Sequence, residues 1–70
     1  MWYIKQTMRY EVRGKGFTPF FTDNRAEAHQ KAKAWSKFVN SFVYVNDVDE
    51  GTTTVWSHGH IAGRWDNHNI

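Results

Sequence analysis

Lys5, Arg9 and Arg13 recur every fourth residue near the start of the chain, and Lys15 follows two positions later. On an extended strand that spacing sets cations about 13 Å apart along one side, roughly two phosphate intervals of a single strand of nucleic acid. Tyr3 shares their parity, and Tyr44 and Phe20 are further rings on which bases or a partner's side chains can stack. Such a stripe suits an anionic surface: DNA, RNA or an acidic protein. The competing reading is an ordinary wet strand face whose cations keep the molecule soluble. A second row, His29, Lys33 and Lys37 with Lys31 beside it, has helical spacing. It reads either as a solvated helix face or as a ridge for phosphates and carboxylates.

Other chemistry is sparse. On a strand, His58 and His60 would project to one side, and Asp66 or His68 would complete a nitrogen and oxygen ligand set. Gly59 between them reads equally as a turn that splays the two rings, so no metal and no cofactor is expected. A metal-dependent hydrolase built on His58, His60 and His68 therefore ranks below both binding readings. The chain has no cysteine, which excludes disulfides, thiolate zinc sites and cysteine nucleophiles and fits a reducing compartment. There is no glycine-rich phosphate loop, no Gly-x-Ser-x-Gly and no carboxylate pair placed by regular structure. Asp47, Asp49 and Glu50 crowd into one turn, where acidic residues are good turn formers. Seventy residues with one helix seldom enclose a catalytic pocket; the expectation is a protein that is not an enzyme.

Positioning these residues requires a fold from one small domain spanning residues 1–70. Without staples, a core this small supplies only ~3–5 kcal/mol, and aromatic bulk, 17% of the residues, has to compensate. Apolar residues fall on even positions from Trp2 to Val12 apart from Gln6, and polar ones mostly on odd positions, the mark of a long strand with one buried face. Gly14-Lys15-Gly16 is a turn, and Phe17 to Thr22 reads as a short second strand that Pro19 either places at a sheet edge or demotes to an extended loop. Asn24, with Glu27 three residues on, caps a helix from Arg25 to about Val39, buried through Ala28, Ala32, Trp35 and Val39. Phe42 to Val48 is apolar on both faces and reads as a central strand. Thr52 to Ser57 pairs back onto it, and Ile61 to Trp65 is a last short strand.

The expected fold is α+β: an antiparallel sheet of three to five strands with one helix packed on one face, in the order β(β)αββ(β). A sheet covered on one side leaves the other open. The odd-numbered residues Tyr3, Lys5, Arg9 and Arg13 are expected on that open face, with His29, Lys33 and Lys37 on the opposite layer.

Eight basic against three acidic side chains through residue 38 make that part +5; one against four from residue 39 makes the remainder −3, which together give the net +2. A basic front and an acidic back steer an anionic partner to one end. No apolar run approaches ~18 residues, and Met1-Trp2-Tyr3-Ile4 followed by Lys5 does not resemble a signal peptide. A cytoplasmic protein with no membrane partner is expected.

In layout, the absence of cysteine, the long first strand, the capped helix at Thr22-Asp23-Asn24-Arg25-Ala26-Glu27-Ala28 and the hairpin after it resemble small phage-encoded host-takeover proteins. The pattern is most similar to anti-CRISPR proteins built from one helix on an antiparallel sheet. The resemblance covers the whole chain without a diagnostic motif. It implies a small inhibitor or adaptor that occupies a surface on a host protein complex that handles nucleic acid. Many such proteins are acidic mimics of DNA, whereas this one offers a basic face, so it would contact acidic protein patches or DNA or RNA directly. A free edge strand or open sheet face also permits a homodimer.

Overall fold

Among the described residues, the period-two pattern becomes a strand only from Tyr10 to Gly14; Met8 and Arg9 precede it, and Met8, expected on the buried face, is exposed. The computed structural model describes residues 8–66, and the larger part of the expected first strand, with Tyr3 and Lys5, lies outside them, as does His68. Within them are β1 (Tyr10–Gly14), β2 (Phe20–Thr22), α1 (Arg25–Phe38), β3 (Val43–Asp47), β4 (Thr52–Ser57) and β5 (His60–Asp66). The strands form one sheet in the order β2-β1-β3-β4-β5, every neighbouring pair antiparallel. One helix on a five-stranded antiparallel sheet is the α+β fold expected.

Helix α1 starts where its cap chemistry dictates. The Asn24 side chain accepts from the Glu27 amide at 2.9 Å. The Glu27 carboxylate in turn accepts from the Thr22 hydroxyl at 2.6 Å, joining the cap to the end of β2. Ala28, Ala32 and Ser36, one every four residues, are buried against the sheet. The two alanines let the helix sit close over Tyr10, Val12, Val43 and Val45, with Phe20, Trp35, Val39 and Trp56 packed around that cluster. Trp35 fills the gap by stacking on Phe17, centroids 4.2 Å apart and planes 4° from parallel. The Phe17–Trp35 pair also explains why β2 is shorter than the run from Phe17 suggests: Phe17 turns inward to the helix instead of continuing the ladder.

Ser36 is a polar residue that the apolar stripe of the helix does not announce. Its Oγ donates to the Lys33 carbonyl at 2.8 Å and accepts from the buried Gly59 amide at 2.8 Å, while its own carbonyl accepts from the His58 amide at 3.2 Å. The helix is thereby fastened to the β4–β5 turn. That turn is His58-Gly59, with φ of 53° and 82°, the left-handed pair that a two-residue hairpin of the twisted sheet demands. Among the described residues, no helix is long and apolar enough to cross a membrane.

Candidate functional site

Directly opposite residues on antiparallel strands share a face, so the register alone lays out the side that α1 leaves open. One row runs across all five strands: Phe21, Glu11, Asn46, Thr53 and Trp65. The next contains Arg13, Tyr44, Val55 and Gly63, with Phe42 two residues before Tyr44. Polar residues at the centre of the first row satisfy one another: the Thr53 hydroxyl donates to Asn46 at 2.7 Å and the Asn46 amide to Glu11 at 3.3 Å. The rings around them are not covered. Phe21, Phe42 and Trp65 are each about half exposed and Tyr44 is 37% exposed.

Two depressions meet on this face. A groove of about 690 Å³ is lined by Arg13, Lys15, Pro19, Ser41, Phe42 and Tyr44. A shallower one of about 220 Å³ continues from Phe42 and Tyr44 past Val55 to Gly63 and Trp65. The Trp65 ring lies over Gly63, where a Cβ would sit 3.4 Å from it, at ordinary contact distance. The result is a strip of rings with cations at the β1 end and an indole at the β5 end. Phe42 and Trp65 are members that the sequence reading missed. The alternation Phe42-Val43-Tyr44-Val45 carried the signal, because a lone helix can cover only one of its two faces.

The expected cationic stripe is only partly assembled. Arg13 lies where anticipated, at the β1 end of the open face, and Lys15 in the turn after β1 lines the same groove. Arg13 is tied to its neighbour Glu11, Nε to carboxylate 2.6 Å, but the arginine is well exposed, and such pairs contribute little and exchange readily. Arg9 departs from the expectation. It precedes β1, and its guanidinium binds Asp47 through Nε at 3.0 Å and Nη2 at 3.1 Å, with Asp49 and Glu50 at 3.8 and 3.5 Å. Asp47 opposes Tyr10 and so belongs to the helix side, where Arg9 also lies over the Tyr10 ring at 5.2 Å. The acidic turn that looks like simple turn chemistry is thus the partner of Arg9. Asp47 organises that turn as well, accepting from the Glu50 amide at 3.1 Å. Burial alone would raise the Asp47 pKa; the hydrogen bonds from Arg9 and the Glu50 amide outweigh it and hold the carboxyl below its ordinary value. Arg9→Glu is therefore expected to lower the thermal midpoint by several degrees, while Arg13→Glu, at an exposed pair, leaves it nearly unchanged. Circular-dichroism melts decide; equal melting of Arg9→Glu and wild type would show that the Arg9 cluster is incidental to the fold.

The helical row also separates. Lys33 is exposed, but Lys37 lays its methylenes against Gly59, and His29 is not on the outer side at all. Its Nδ1 accepts from the Trp56 indole Nε1–H at 3.3 Å, the rings tilted at 5.9 Å. Because an indole only donates, the neutral His29 ring carries its proton on Nε2. Burial lowers the His29 pKa, and the charges of Arg25 on α1 and Arg64 on β5 lower it further, against a small opposing effect of Asp47 on β3.

A lowered folded-state pKa means that the unfolded chain takes up the proton first. Stability should decline as pH falls from about 6.5 through the folded-state value and level off below it. His29→Asn should flatten that portion of a melting-temperature profile; an unchanged slope would exclude His29 as its source. The contribution of Asp47 is lost in a separate window, below the ordinary carboxylate range.

Among the described residues, no cluster of three His, Asp or Glu side chains is placed to hold a metal ion. Comparison of the chain with protein-family models, with curated proteins and with solved structures finds no match.

Proposed function

We propose that the protein is a non-catalytic binding module whose open sheet face docks on a partner protein, apolar at the centre of the contact and acidic at one rim. The observation that carries this reading is the strip Phe42, Tyr44 and Trp65, exposed on a face that α1 does not cover and joined to Arg13 and Lys15 through two depressions that share Phe42 and Tyr44. Aromatic residues and arginine dominate the energetics of protein interfaces. Glu11 at the middle of the face and the engagement of Arg9 by three carboxylates weigh against a phosphate backbone as the ligand. Following the layout resemblance, the partner is a component of an assembly that handles nucleic acid, and docking makes this protein its inhibitor or adaptor.

The test is capture from host lysate, with and without nuclease, using wild type and Tyr44→Ala/Trp65→Ala. The captured protein is then purified, and its hydrogen-exchange footprint mapped on β3, β4 and β5. Nuclease-resistant capture, lost in the variant and protecting the open face, supports the reading. Retention that needs nucleic acid, with a random oligonucleotide bound in strongly salt-dependent fashion, replaces it with direct DNA or RNA binding. A footprint on the helix side, or a second copy of the chain as the sole occupant, overturns it.

A further inference from the structure

On the opposite side of the molecule, α1 lies over β1 to β4, and the helix-side residues of β5 extend past it. The gap between α1 and β5 is a groove of about 530 Å³, within the size range of small-molecule sites. Ala26, Trp56 and Ile61 provide its apolar lining, and Arg25, His29 and Arg64 provide its polar groups. The register explains the meeting: Arg64 opposes Thr54, and Ile61 opposes Trp56, while Arg25 and His29 stand one helical turn apart on α1. Among the described residues, neither Arg25 nor Arg64 has a carboxylate at ion-pair distance. The nearby Asp47, which touches the inner end of this region with Tyr10 and Thr52, is already held bidentately by Arg9.

We infer that this groove is a binding site for a small organic anion, a phosphate or carboxylate group on a flat apolar body, its oxyanion between Arg25 and Arg64 and its ring against Trp56 and Ile61. Two guanidinium groups each offer a planar fork matched to oxyanions, and no acid of the groove lining competes for them. The His29 ring presents its free Nε2–H as a further donor while Nδ1 is engaged by Trp56. The two arginines disfavour a protonated His29 in the empty groove; a bound anion reverses that effect, so binding tightens as pH falls and His29 charges. Asp47, facing His29 from β3, opposes the anion only weakly because Arg9 neutralises it. This site is on the far side from the docking face and stands independently of it.

The experiment is an NMR titration of the whole protein with phenyl phosphate, with inorganic phosphate and with phenol. Phenyl phosphate is expected to shift the Trp56 indole N–H and the His29 ring resonances, and to bind at least tenfold more tightly than either fragment. Arg25→Gln and Arg64→Gln should each weaken it tenfold or more, while Lys33→Gln, outside the groove, leaves it unchanged. Ile61→Ala should weaken phenyl phosphate but not inorganic phosphate. Absence of shifts at Trp56 and His29, or undiminished affinity in both folded arginine variants, overturns the inference. Should those variants fail to fold, the wild-type comparison of the three probes and the position of the shifts decide it.

Discussion

Trp35→Ala is expected to leave the protein close to its unfolding midpoint at ordinary temperature. Trp35 is half-buried, stacks on Phe17, and closes the space beside Gly14, whose missing Cβ would stand 3.4 Å from the indole and 3.2 Å from the Phe17 ring. Truncating such a ring removes its transfer free energy, leaves a hole and frees Phe17 at once, a loss of about 3 kcal/mol or more. A domain of this size without staples has only ~3–5 kcal/mol in total, so the melting temperature should fall by on the order of 15 °C. Ser36→Ala should come next, about 1–3 kcal/mol, because it strands the buried Gly59 amide without an acceptor. Thermal and urea melts read both. A Trp35→Ala protein that melts within a few degrees of wild type would mean that the aromatic residues do not stand in for a larger core.

The second large effect is on binding. Tyr44→Ala combined with Trp65→Ala is expected to weaken the partner complex by a hundredfold or more, since ring truncations at the centre of an interface commonly cost ~2 kcal/mol or more each. The fold should survive: both side chains stand on the uncovered face, and neither belongs to the cluster under α1. Phe38→Ala provides the control, removing a ring that is 80% exposed but on the helix. Isothermal titration against the purified partner measures both. Equal loss in Phe38→Ala would indicate generic stickiness of exposed rings, and no loss in the double variant would move the interface elsewhere.

Charge variants probe a different aspect. On the proposed docking face Arg13 and Lys15 stand at the rim, where cations steer encounter more than they hold a complex, so Arg13→Gln and Lys15→Gln test that placement. Their effects should appear in the association rate and in its salt dependence, with dissociation little altered. Arg9 does not belong in that series, because its guanidinium is occupied by Asp47 and its neighbours.

Local chemistry was sufficient to read the elements from the sequence. The cap at Asn24, the alternation through Tyr10, Val12 and their odd-numbered neighbours, the edge position of β2, which starts just after Pro19, and the two-faced β3 each depend on residues a few positions apart, and each appears in the fold. The open face followed too, since one helix cannot cover both sides of a sheet. What only the tertiary structure decided were the relations between distant residues. Arg9 meets Asp47 across 38 positions, so its parity within the alternating run did not predict where its long, flexible side chain would go. His29 meets Trp56 across 27, because α1 sits off-centre and turns one flank toward β4 and the bare inner side of β5. Spacing specifies which side chains share a face of one element; which elements then come together, and which charges are neutralised on the way, depends on packing that the local pattern does not contain.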